Sequence, residues 1–471
     1  MFIVYTLFVS IFFCLFDLLY FRIFQLENYK IKNYLKKIIK INIFKYEKNK
    51  LKFTKRIKRQ FFIDFLIKFL TVLIIFIFFN NFLDIFLILS VIFVFSQTFV
   101  CLSFLICLPI ETLIQKYFIK KAKERLRDVG AKVVAITGSF GKTSTKNFLY
   151  QILRKEFEVC VTPQSFNTPM GICKTILENL KDTDELVIFE YGARHIGDIE
   201  FLAKNFGVDF GIITPIGACH LETFKKIENI ESEKYQLCKN AKEFVVFNGK
   251  SDSSKKLYKA FDHKKFLVCQ KNSFAYAKKI KFSQEGTNFV LCINKNEIAC
   301  KTKILGEAGI DNIVTASAMA YLLGESLYDI QKEISSLKPS SHRLELIKTE
   351  NVTIIDDSFN SNFAGFSDAL KVLGNFSGRK FVITPGMVEL GAKQYEQNFE
   401  IGKKISRVGD FLFISNKTNR DALFKGAISG GMSENQIFFG DTREDQQKFL
   451  KEHLVQGDVV LFENDFPDNI K

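Results

Sequence analysis

The stretch Val133-Val134-Ala135-Ile136-Thr137-Gly138-Ser139-Phe140-Gly141-Lys142-Thr143-Ser144-Thr145-Lys146 constrains this chain more than any other. A run of β-formers breaks at Gly138, turns through a small-residue loop and opens a helix at Lys142. A strand, a glycine loop and a helix N-terminus together make an anion site, because orphan amides and the helix dipole converge on the loop. Gly138 and Gly141 allow the backbone to close around a phosphate, Lys142 reaches its outer oxygens, and the Thr143 hydroxyl takes a Mg²⁺ position. The strict phosphate loop has four residues between its glycines; only Ser139 and Phe140 intervene here. The expectation is a variant loop that binds ATP.

The first 110 residues point elsewhere. Residues 1–21 are apolar with Asp17 the only charge, residues 61–79 are apolar apart from Asp64 and Lys68, and Ile85 to Ile110 carry no charge at all. Three such runs predict an α-helical membrane region. No basic segment precedes the first run, which argues against a cleaved signal peptide. The net charge of +15 is concentrated: residues 22–60 hold 14 Lys/Arg against two acids, +12, which leaves +3 for the rest. A basic loop flanked by spans reads as a cytoplasmic segment contacting anionic lipid, with no nucleic-acid role. That orientation places residues 80–84 in an external turn and the phosphate loop in the cytoplasm, at the inner membrane. Ten cysteines without metal-like spacing fit a reducing compartment.

After the loop, strands and helices alternate. Candidate strands are 185–189, running into Glu190, 210–214, running towards His220, then 245–248 and 266–269. In parallel α/β sheets ligands sit at the carboxyl ends of strands, where Glu190 and His220 fall. A second series, 352–356, 380–384, 411–415, 436–439 and 459–462, predicts a separate, smaller doubly wound domain. The expected organisation is membrane helices over 1–118, a parallel-sheet ATPase domain over 119–338 and the α/β C-terminal domain over 339–471.

The order of motifs resembles the Mur ligases, the ATP-dependent amide-forming enzymes of peptidoglycan precursor synthesis, and most of all the branch that adds D-alanyl-D-alanine. The matching motifs are Thr137 to Ser144, Ser165-Phe166-Asn167, Glu190-Tyr191-Gly192-Ala193, His220-Leu221-Glu222 with Lys234, His342-Arg343-Leu344-Glu345, Asp356 to Asn362, and Gly386 to Gly391. The resemblance implies that the ATP γ-phosphoryl group passes to a carboxylate of UDP-muramoyl-tripeptide and that the amine of D-alanyl-D-alanine attacks the acyl phosphate. It implies ATP contacts from Gly138, Ser139, Gly141, Lys142, Thr143, Ser144, Asn312, Arg343 and Asp357. Metal contacts would come from Thr143, Glu190, His220 and Lys234, the last as a carbamylated lysine. Ser165, Asn167, Asn360 and Asn362 would face substrate. Lys142, His220 and Lys234 would be the catalytic set.

Three departures stand out. Ala308-Gly309 replaces the family's His-Asn pair, with Asn312 retained. Glu463-Asn464-Asp465 replaces a glycine-serine turn. The usual UDP-sugar domain is replaced by the apolar region. A ligase with another amino acceptor or a lipid-linked substrate, and a membrane-tethered nucleotide-binding protein without ligase activity, remain alternatives.

Overall fold

The computed structural model describes residues 2–26, 29, 31–40, 51–79, 81–219, 221–359, 362–388 and 390–464. Two compact units divide the chain between Phe118 and Ile119. The first is helical: Phe2–Phe16, Leu18–Leu26, Ile31–Lys40, Lys55–Phe78, Phe82–Val94 and the start of Ser96–Val129. Among the described residues, Val4–Leu26, Lys55–Phe78 and Ser96–Val129 are long and apolar enough to cross a membrane.

Three details of the expected layout change. The uncharged run from Ile85 to Ile110 is two helices that break at Phe95, the first of them only 13 residues long. The expected turn at 80–84 is already helical from Phe82, capped by the Asn81 side chain. The described part of the basic 22–60 segment is largely helical too. The charges that interrupt the apolar runs meet: the Lys68 ammonium contacts Asp17 and lies 2.7 Å from Asp64, all fully buried. The Ser96 hydroxyl donates to Asp17 at 2.6 Å.

The second unit begins with a nine-stranded sheet. Its strands are β1 (Lys132–Thr137), β2 (Val159–Val161), β3 (Leu186–Glu190), β4 (Phe210–Ile213), β5 (Phe244–Asn248), β6 (Lys265–Val268), β7 (Ala275–Ser283), β8 (Gly286–Ile293) and β9 (Asn296–Thr302). Their order is β2-β3-β1-β4-β5-β6-β7-β8-β9. β1 to β6 are parallel and read as continuous apolar runs because helices cover both faces. β1 pairs with β3 on one side and β4 on the other, so the strand order reverses there. That reversal opens the crevice where such sheets bind ligands. β7, β8 and β9 form an antiparallel extension, which the sequence reading did not anticipate.

The second sheet runs β10 (Glu345–Lys348), β11 (Thr353–Asp357), β15 (Val459–Glu463), β12 (Lys380–Thr384), β13 (Phe411–Ile414), β14 (Ile437–Phe439). It is parallel except for β10 against β11. The sheets are tied together through the helix Glu307–Leu323, whose N-cap, Gly306, offers no side-chain cap. Asp368, on the helix Phe363–Gly374, fills that role by accepting from the amides of Glu307 and Ala308 at 3.1 and 3.0 Å.

Candidate active site

The loop after β1 forms as its glycines require. Gly138 has φ +147°, and a Cβ there would stand 2.7 Å from the Thr214 carbonyl oxygen; at Gly141, φ +77°, it would strike the Asn312 carboxamide. The helix Lys142–Leu153 opens directly after Gly141. The first amides of a helix have no intrahelical acceptor, so those of Lys142, Thr143 and Ser144 face the loop as donors. Not every loop amide does: Ser139 and Phe140 donate to the Pro215 carbonyl at 2.9 and 3.1 Å. The expectation that backbone amides point into the loop does not extend to these two. Lys142 folds over the loop, its ammonium 3.0 and 3.1 Å from the carbonyls of Gly138 and Ser139.

Glu190 lies at the end of β3, in register with Ile136 of β1, and is 1% exposed. One carboxylate oxygen accepts from the Thr143 hydroxyl at 2.8 Å and the other from the Asn167 amide at 3.0 Å. Ser165 Oγ is 3.5 Å from Thr143 Oγ1. Both direct donors are neutral side chains. A hydroxyl and a carboxylate beside a phosphate loop are hard oxygen donors of the kind Mg²⁺ takes. The site fits that ion.

Lys146, one helical turn beyond Lys142, is fully buried and donates to the carbonyls of Thr162, at 2.6 Å, and Gln164. It fixes the loop that carries Ser165 and Asn167. No role was expected of this lysine, because its partners are backbone carbonyls with no sequence signature. Burial pulls its ammonium down to about 8. Asn312 stands against the loop rather than apart from it, accepting from Thr145 Oγ1 at 3.2 Å.

Lys234 lies on the helix Ile227–Asn240, 2% exposed. Burial lowers its ammonium to about 8, and the positive charge of Lys142 acts in the same direction. From the turn that precedes β10 comes Arg343, whose guanidinium lies 4.5 Å from the centre of the Phe359 ring. Asp357 accepts from the Leu344 amide at 3.1 Å, and burial raises its carboxyl above the usual range while Arg343 opposes the shift. Asn362 caps the helix Phe363–Gly374 by accepting from the amides of Ala364 and Gly365.

A cavity of about 610 Å³ brings Ser139, Gly141, Lys142, Thr143, Ser165, Asn167, Glu190, Arg343 and Asn362 together. Gly138, Ser144, Lys234, Asn312 and Asp357 are not among its lining residues. His220 and Asn360 lie outside the described residues. One further wall was not foreseen, the turn that follows Glu190. The Asp198 carboxylate accepts from the amides of Arg194 and His195, both at 2.8 Å. Glu233, 2% exposed, accepts from those of Gly197 and Ile199 at 2.7 and 2.6 Å.

Comparison with known proteins agrees with this geometry. Residues 136–320 match the Mur ligase middle domain, and residues 342–463 match the Mur ligase, glutamate ligase domain. The chain is 27% identical over 347 residues to the UDP-N-acetylmuramoyl-tripeptide–D-alanyl-D-alanine ligase of Bacillus subtilis, covering 72% of this chain and 74% of that one. The enzyme of the same name from Buchnera aphidicola subsp. Acyrthosiphon pisum is 30% identical over 333 residues, 69% of this chain and 70% of the relative. Among solved structures, the MurF ligase of Thermotoga maritima in complex with ADP superposes with a TM-score of 0.67 at 26% identity, covering 74% of this chain and 80% of its own. With the phosphate loop, the carboxylate at the end of β3 and the second sheet in place, the chain belongs to the Mur ligase family.

Proposed function

We propose that this protein is the ATP-dependent ligase that joins D-alanyl-D-alanine to UDP-N-acetylmuramoyl-tripeptide. The observation that carries the reading is the buried Glu190 carboxylate, bonded to Thr143 and Asn167 at the mouth of the phosphate loop. With His220 and Lys234 it makes up the expected set for a second metal centre, which a nucleotide switch without chemistry does not need.

The loop amides and Lys142 hold the triphosphate and neutralise its outer oxygens, which leaves the γ-phosphorus open to a substrate carboxylate. Thr143 and Glu190 would hold Mg²⁺, with Lys234 and His220 as further candidate ligands; when bound, the ion adds electrostatic stabilisation of the transferring phosphoryl group. Asn167 and Ser165, on the loop fixed by Lys146, face the acyl end. The substrate carboxylate takes the γ-phosphoryl group and ADP departs; the dipeptide amine then attacks the acyl carbon, loses a proton and expels phosphate. Arg343 and Asp357 approach the nucleotide from the second sheet.

The three long apolar helices and the basic segment between the first two support an anchor at the inner membrane, with the catalytic domains in the cytoplasm where ATP is. We take the organisation as 1–118 membrane, 119–338 ATP-binding and 339–471 C-terminal. The test uses the purified protein with ATP, UDP-muramoyl-tripeptide and D-alanyl-D-alanine. Phosphate release should require the UDP-substrate and the dipeptide, and L-lysine or single alanine should not replace the dipeptide. Equal stimulation by a single amino acid would favour a ligase with a different acceptor.

A further inference from the structure

Among the described residues, three Lys or Arg side chains line the cavity: Lys142, Arg194 and Arg343. Lys142 is spent on the phosphate loop. Arg343 is stacked on Phe359. Arg194 differs from both, because its guanidinium has no hydrogen bond or ion pair among the described residues. Two acids nearby could have taken it, and neither does. Asp198 turns its carboxylate to the backbone amides of Arg194 and His195, and Glu233 turns its own to Gly197 and Ile199. Both acids therefore build the turn and leave its cation open. The result is a turn pinned to two helices, whose exposed arginine lines the cavity with its guanidinium unpaired among the described residues.

The turn follows Glu190 by four residues, so Arg194 lies within about 14 Å of it along the chain. An extended dipeptide is about 7 Å long. Both residues line the one cavity, so this wall is open to the far end of a substrate that reacts beside Glu190. The reaction brings four kinds of anion. The triphosphate has the loop, the carboxylate under activation must meet the γ-phosphate, and the UDP diphosphate lies at the sugar end of its substrate, a tripeptide away from the reacting carboxylate. What remains is a free carboxylate of a peptide substrate.

Resting on the ligase reading above, we propose that Arg194 is a specificity residue that docks this spare carboxylate by a bidentate charge-assisted hydrogen bond. Two groups carry that chemistry: the C-terminus of the acceptor dipeptide, and the distal carboxylate of the tripeptide's third residue where that residue is a diamino diacid.

The test compares wild type with Arg194→Gln and Arg194→Lys, with initial rates measured against each substrate in turn. Arg194→Gln should raise KM for one peptide substrate about tenfold or more, the scale of a lost charge-assisted contact, while KM for ATP stays within about twofold. Arg194→Lys should recover part of the loss. If the acceptor is the source, wild type prefers D-alanyl-D-alanine to its C-terminal amide and Arg194→Gln does not. If the third residue is the source, wild type prefers a diaminopimelate-containing UDP-substrate to a lysine-containing one and the variant does not. Unchanged KM for both peptides, or a fall in kcat alone, overturns the proposal while leaving the ligase reading intact. A wild type that ligates neither peptide removes both.

Discussion

Lys234 shows how far a single residue can be read. The sequence offered it as one of 66 basic residues, singled out by its distance from His220. The fold buries it and brings its ammonium down to about 8, so about a tenth of it is, at pH 7, the neutral amine that carbon dioxide needs, far more than for an exposed lysine. Lys234→Ala is expected to lose ligation and to regain part of it with added formate or acetate; full activity in the unrescued variant would reduce it to a packing residue. Asp311 gives a second prediction at this scale. Burial raises its carboxyl to about 7 although Lys250 lies 3.2 Å away. The folded state thus binds this proton more tightly than the unfolded chain, so its contribution to stability is complete below about pH 4 and is lost as pH rises through about 7. Urea unfolding from pH 4 to 8 should show a shallower decline in Asp311→Asn than in wild type. Glu190 was legible because it ends an apolar run. Lys146 was not, since its partners are backbone carbonyls that only the folded loop brings near.

Elements were legible where both faces of the sheet are covered. β1, β3 to β6 and β11 to β15 announce themselves as continuous apolar runs, and each was placed to within a residue or two. β7 to β9 were missed because the extension is half exposed and lysines interrupt it, as in Ala275–Ser283. The β8–β9 turn lacks a glycine signal as well: Asn294 and Lys295 both take positive φ, at 49° and 69°, in a two-residue hairpin. β2, at three residues, was too short to register. The helix Glu307–Leu323 shows another limit, since its cap comes from Asp368, some 60 residues on and in the other sheet's layer. Asp368→Ala should cost about 1–2 kcal/mol in urea unfolding. A loss shared by the Glu307 and Ala308 amides in hydrogen exchange would place it at this helix end. Unchanged stability would mean that water caps the helix as well.

At the scale of the whole molecule, the sequence located the catalytic portion and the apolar portion, and the comparisons reach the first of these. Whether the apolar helices act only as an anchor is a question for truncation. A protein starting near Lys120 should fold, bind ATP and ligate soluble UDP-substrate at close to the full-length rate if they do. A truncated form that binds ATP but cannot ligate would show that the helices hold substrate. The sequence suggested apolar segments with few polar groups, each readable by itself. The meeting of Asp17, Lys68, Asp64 and Ser96 changes that picture. On the membrane reading, each charge left alone in lipid would cost about 2.5–3.5 kcal/mol. The second helix pairs its own lysine with Asp64, whereas the first brings Asp17 with no cation of its own and is not a self-sufficient insertion unit. It must wait at the translocation machinery for the lysine of the second, so these two should enter the bilayer as one late, cooperative event rather than helix by helix.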